Sequence, residues 1–293
     1  MNGHLGRVAS ERTIKDVGVD RLIANILADL KANRLMLPTL PAVAMKINDV
    51  IDNPNSTAKD IAKIVSTDVA LSAHMLQVAN SPLVRAATPV ENVQAAITRI
   101  GMAMVRNIAT SFLVCRLFHT KHNALKKRIA VLWNHSAHVA AISHVLAHRF
   151  TALNPDEAML AGLIHDIGKL PIIAKVENNS VLANNSALLD TLDEKLHTVL
   201  GKVIVQTWRF APELISAVAE HENLSRNSEQ LDITDIVTIA NLLSYAGKNH
   251  RLTQADWTAV PAFKKIGISP EDSIATLEEA REEIAEIVKL LTH

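Results

Sequence analysis

The chain has 293 residues, of which 48% are hydrophobic and 20% charged, so it can bury a large core without staples. Lys+Arg equals Asp+Glu at 30 each, which argues against a dedicated nucleic-acid binder with a basic surface. A single cysteine excludes an intramolecular disulfide and any multi-cysteine zinc site.

The stretch Met1 to Asp16 is polar and mixed in charge, with no apolar run of the kind a signal peptide needs. No stretch is long and apolar enough to span a membrane, so a cytoplasmic location is expected. Leu22, Ile23, Ile26, Leu27 and Leu30 then fall on one face of a helix. Pro38-Thr39-Leu40-Pro41 predicts an extended turn, because each proline drives the preceding residue out of the α region. Asp52-Asn53-Pro54-Asn55 is the next break, and Ser56 or Thr57 with Asp60 predicts a capped helix after it. A helix starting near Asp68 is expected to end at Ser81-Pro82, where Asn80 and Ser81 can bond local backbone.

Ile97, Ile100, Met104, Ile108 and Leu113 continue the helical spacing. Cys115 reads as a buried structural thiol, and Lys121 to Arg128 as a solvated basic stretch. Asn154-Pro155-Asp156-Glu157 and Ser269-Pro270-Glu271-Asp272 are strong helix starts: a cap, a proline, then two acids at the positive end of the dipole. Asn178 to Asn185 reads as a mobile loop. Ile274, Leu277, Ile284, Ile287, Val288 and Leu291 form a last helical stripe. Nine glycines are too few for a turn-rich β fold, so the fold class is all-α, with about twelve helices.

Of the 13 histidines, one sits in Leu163-Ile164-His165-Asp166-Ile167-Gly168-Lys169. A histidine and an aspartate in an apolar helix need a reason to be there. Neighbours on a helix are about 100° apart, so both can reach one point, where imidazole and carboxylate suit a divalent cation. His135, His197 and His221 lie on other expected helices and could meet them, as in bundle-core metal sites. The competing reading is a satisfied buried network with Asp166 as the acceptor. His138, His144 and His148 read as surface residues. No glycine-rich phosphate loop or dinucleotide fingerprint is present.

His135-x-x-x-Val139-Ala140, then His165-Asp166-x-Gly168-Lys169, then His197-x-x-x-Gly201 and Trp208, resemble the HD superfamily of metal-dependent phosphohydrolases. Earlier marks resemble its HDOD subgroup, the HD-related output domain. They are Leu37-Pro38-x-Leu40-Pro41, Ser56 with Ile61-Ala62 and Ile64, and Asp68-x-x-Leu71. They continue with Met75-Leu76-x-x-Ala79-Asn80-Ser81, then Val93, Ala95-Ala96-Ile97 and Ile100-Gly101. Val69 stands where the family often has proline.

The resemblance implies an N-terminal helical lobe (residues 21–120) beside an HD-like lobe (121–249), flanked by extensions at 1–20 and 250–293. It implies a stand-alone signalling or regulatory module with a degenerate HD metal centre, of the kind bacterial regulators use, acting through a protein partner or a small effector. The same resemblance carries the alternative of a metal-dependent phosphohydrolase acting on a nucleotide or other phosphate ester. The implied metal ligands are His135, His165, Asp166, His197, His221 and Asn241. Under the alternative, Asp166 and Lys169 are catalytic, with Lys169 or Arg149 meeting the phosphate. Asn241, whose neutral amide is a poorer ligand for a hard cation than a carboxylate, stands where HD enzymes carry an aspartate, and Asp235 faces elsewhere. Such a centre would suit a divalent transition metal that accepts imidazole.

Overall fold

Local capping chemistry cuts the chain into helices before any packing is considered. In the computed structural model, which describes residues 4–81, 84 and 88–292, Asp60 accepts from both the N–H (3.1 Å) and the hydroxyl (2.7 Å) of Thr57. Asp68 accepts from Leu71 N at 2.9 Å, Asn154 from Asp156 N at 2.9 Å, and Ser269 Oγ from Asp272 N at 3.0 Å. Each satisfies an N–H that would otherwise lack a partner at a helix start. Met1 to Gly3 and the stop residue Pro82 lie outside the described residues.

Helix α1 (His4–Lys31) leads into α2 (Ala42–Asp52), α3 (Ala58–Val65), α4 (Val69–Ala79), α5 (Val93–Ile100) and α6 (Met102–Cys115). Helices α2 to α6 pack on one another as the N-terminal lobe, around Ile47, Ile61, Leu71, Met75 and Ile97. The Asn80 amide spans ten residues rather than staying local: it donates to Val90 O at 2.9 Å and accepts from Val90 N at 2.8 Å. Ser81 Oγ donates to Val78 O at 2.8 Å, as expected of a helix end.

The second lobe is built on α7 (Asn123–Phe150), which packs along α8 (Pro155–Ile164). Their contact is close because it is made of small residues. A Cβ on Gly162 would stand 2.9 Å from Ala140 Cα. Next come α9 (Lys169–Val176), α10 (Ser180–Ala183), α11 (Ser186–Thr207), α12 (Pro212–Glu220) and α13 (Ile233–Ser244). The stretch expected as a mobile loop instead folds into α10, because Asn179 caps it and Asn185 caps α11. This helix and α14 (Pro261–Ile266) are short elements beyond those expected, and no strand occurs among the described residues.

The last apolar stripe is two helices, α15 (Pro270–Glu279) and α16 (Arg281–Thr292), with Ala280 between them. Helix α16 returns to α7 and α6, burying Ile287. The lobes meet through α6 and α8, and the Trp208 indole N–H donates to Pro38 O at 3.1 Å across the junction. Among the described residues, no helix is long and apolar enough to cross a membrane.

Candidate metal centre

His165 and Asp166 are not inside a helix. Helix α8 ends at Ile164, and residues 165–168 form the tight turn into α9. The turn can lie against α11 because Gly168 has no side chain: a Cβ there would fall 1.8 Å from His197 O and 2.5 Å from Gly201 N. The glycines of the two motifs therefore bring the His165-Asp166 turn against the helix that carries His197. His135 comes from α7, and His221 closes α12.

All five predicted His and Asp ligands converge. Asp166 Oδ2 lies 3.4 Å from His165 Nε2 and 3.7 Å from His135 Nε2. Asp166 Oδ1 lies 3.5 Å from His197 Nε2 and 3.8 Å from His221 Nε2. Two ligand groups result, His135–His165–Asp166 and Asp166–His197–His221, each with ligand atoms within 4.8 Å of one another. Asp166 joins them.

Hydrogen bonds fix which nitrogen faces the centre. His165 Nδ1 donates to Gly162 O at 2.6 Å and His197 Nδ1 to Asp193 O at 2.5 Å. His221 Nδ1 reaches Ala217 O and Val218 O, both at 3.2 Å. A carbonyl only accepts, so Nδ1 carries the proton and Nε2 presents a lone pair. The Nε2 atoms then face one another, 3.2 Å apart between His135 and His165 and 3.3 Å between His197 and His221. Burial pushes His135 and His221 down to about 4 and His165 well below its ordinary range, so these rings are neutral at pH 7.

Burial opposes ionisation of Asp166, yet Lys169 and the histidines hold its carboxyl well below the usual carboxylate range. Lys169 Nζ is paired with Asp166 Oδ2; burial opposes its charge, but Asp166, Tyr245 and Asp193 together raise its pKa.

Asn241 lies on α13, buried, and among the described residues its Oδ1 has no hydrogen-bond partner. It precedes Ser244 and Tyr245 by three and four residues, so the three share a helix face. That face meets His135: Tyr245 OH lies 3.3 Å from His135 Nε2, and Ser244 Oγ lies 3.5 Å from its Nδ1. The facing lone pairs of His197 and His221, the lone pair of His165 turned on His135, a bridging carboxylate and an amide oxygen orphaned among the described residues together fit a cation bound mainly by imidazole.

Several residues of the site were not evident in the sequence. Tyr245, the one tyrosine, stacks on His135 at 4.9 Å between ring centroids and on His250 at 3.6 Å. Its place four residues after Asn241 was the available signal. Arg128 is not simply solvated, since it binds Asp190 (2.8 Å) and Asp193 (2.6 Å). With His135, Lys169 and Tyr245 these residues line a groove of about 530 Å³ that reaches the centre.

Other expectations change. Arg149 is turned away and pairs with Glu283 of α16 at 3.1 Å. His144 is buried, 3.6 Å from Asp156, because α7 packs along α8 there, whereas His138 and His148 are exposed. Cys115 is half-buried, with Sγ 2.7 Å from Phe112 O. Asp235 faces elsewhere as expected, bound to Lys265 at 2.6 Å and Arg226 at 3.3 Å.

Comparisons with known proteins agree with this architecture. The family model described as the HDOD domain matches residues 37–224. A Shewanella amazonensis structure, whose assignment as a metal-dependent phosphohydrolase is itself provisional, superposes with a TM-score of 0.79 at 30% identity, covering 93% of this chain and 99% of that one. An HDOD domain protein of unknown function from Geobacter sulfurreducens has a TM-score of 0.68 at 21% identity, covering 92% and 97%. An uncharacterised Treponema pallidum (strain Nichols) protein is 25% identical over 256 residues, covering 80% of this chain and 48% of that protein. The chain thus spans about half the length of the curated relative it matches.

Proposed function

This chain belongs to the HDOD domain family, and on that premise we propose that it is a regulatory module built around a histidine-rich centre for a divalent transition metal. His135, His165 and Asp166 with Asn241 would hold an ion on one side of the Asp166 carboxylate, and His197 and His221 on the other. When bound, such a metal supplies a Lewis acid and lowers the pKa of bound water.

The observation that carries the regulatory reading is the charge and cover of the centre. Asp166, the carboxylate shared by both ligand groups, is already matched by Lys169, Glu222 (3.8 Å from His197 Nε2) is matched by Arg251, Asn241 is neutral, and Tyr245 lies across His135. Imidazole and amide ligands suit binding of a transition metal better than Mg²⁺-dependent hydrolysis, which wants carboxylates. The module would act by presenting its helical surface to a protein partner or a small effector, in signalling.

A second reading, a phosphohydrolase acting on a nucleotide or other phosphate ester, is favoured by the groove that reaches His135 and Lys169. There Lys169 would neutralise phosphate oxygens and Asp193 would orient His197 through its carbonyl.

Elemental analysis of untagged protein purified without chelator tests the first claim. The expected result is a transition metal at a fixed ratio to the chain, lost in His165→Ala and His197→Ala variants that still melt cooperatively. Failure of wild-type protein to retain manganese, iron or zinc after supplementation and desalting would reject the centre. Phosphatase and phosphodiesterase assays of the loaded protein separate the two readings: turnover abolished by Lys169→Ala favours the second, and its absence favours the first.

A further inference from the structure

A larger cavity lies away from the metal centre, where the two lobes meet. Its volume is about 780 Å³, and it is walled by α2 and α6 of the first lobe and by α8 and the α11–α12 turn of the second. Its lining is polar where an ordinary lobe contact would be apolar. Asn107 projects into it although only 7% exposed, and among the described residues its amide has no hydrogen-bond partner. Among the described residues, the acceptor Asn48 Oδ1 and the donor Arg106 Nε, also on this lining, are buried without partners. An unsatisfied buried polar group is costly, so several around one cavity indicate a missing partner.

The charges say what kind. Arg106 is paired with Asp52. Asp49 and Glu157 line the cavity with no ion pair among the described residues, while the uncommitted cation, Arg209, is exposed at the rim. Glu157 is raised first by burial and then by the neighbouring Glu213, against the pull of Arg106. The unpaired charges on the lining are thus two carboxylates against one exposed guanidinium, and Trp208 and Phe210 supply an aromatic wall, with ring centroids 5.7 Å apart. Carboxylates beside aromatic faces suit an ammonium on an apolar body.

We propose that this inter-lobe cleft binds a small organic amine, with the ammonium at Glu157, hydrogen bonds to Asn107 and Thr110, and the apolar body against Trp208 and Phe210. The ligand would touch both lobes at once and so favour one relative placement of them. The proposal rests on the effector-responsive reading above but not on the metal.

Isothermal titration calorimetry of the full chain with benzylamine and with neutral benzyl alcohol tests it. Benzylamine is expected to give saturable binding, with benzyl alcohol weaker by at least about tenfold. Glu157→Gln and Asn107→Leu should each weaken benzylamine by about tenfold while melting as wild type does. His165→Ala should bind the amine unchanged while losing the metal centre, which separates failure of this idea from failure of the metal reading. Equal binding of amine and alcohol, full affinity in Glu157→Gln, or no saturable binding into the millimolar range would overturn it.

Discussion

Both lobes bury histidine, and they do it for different ends. In the N-terminal lobe, His74 is 6% exposed and stacks on Phe112, with centroids 4.5 Å apart and planes 20° from parallel. In the second lobe, His165, His197 and His221 are at least as buried, but each ties one nitrogen to a backbone carbonyl and aims the other at Asp166. Burial pushes His74 and His221 down to about 4 alike. A depressed histidine is therefore no sign of a site by itself. What makes a site is that the lone pairs converge and that a carboxylate stands where they meet.

The contrast can be broken most severely at Gly168. Gly168→Ala forces a methyl to within 1.8 Å of His197 O, so the turn must leave α11. A loss above about 4 kcal/mol is expected, read as a collapsed urea midpoint or insoluble protein. Asp166→Asn comes next, because it strands the Lys169 ammonium beside a neutral amide. It should cost about 3 kcal/mol, and adding Lys169→Met should recover most of that in a double-variant cycle. An Asp166→Asn variant as stable as wild type would mean that the pair is not buried as described.

His74 gives the pH test of the other lobe. Its folded pKa, about 4, lies below the unfolded value of about 6.5, so below pH 6.5 the unfolded chain takes up the proton first. This part of the stability is intact above pH 6.5 and falls as pH drops toward 4. Between pH 7.5 and 5, His74→Phe should therefore lose about 2 kcal/mol less than wild type in urea unfolding, the remaining slope belonging to the other lobe's histidines. The smallest effect is expected at the junction. Trp208→Phe removes the bond to Pro38 O and should cost about 1 kcal/mol, with both lobes still folded by circular dichroism.

Residues whose partners are close in sequence were the legible ones. Thr57 with Asp60 and Asn154 with Asp156 declare their helices within a few positions. His135, His165, Asp166, His197 and His221 were singled out by motif spacing, and their side chains do converge into two groups that could hold an ion. Long-range partners hid the rest. Nothing near Arg128 in sequence announces Asp190 and Asp193, and nothing near Arg149 announces Glu283. His144 looked exposed because the helix that covers it, carrying Asp156, begins only after α7 has ended. Tyr245 escaped notice because its ring contacts lie on α7 and in the segment after α13.

The carbonyls that receive Nδ1 of His165, His197 and His221 belong to residues three or four positions back along each ring's own chain segment. Each ring is thus aimed by its own backbone and needs no ion to set its direction. Unlike a zinc finger, whose metal must also fold the chain, this protein holds its socket ready-made. An ion arriving there would spend little of its binding energy on ordering ligands. A chelator should empty the centre and leave the helices standing, so that loading and unloading can follow the supply of metal instead of the history of folding.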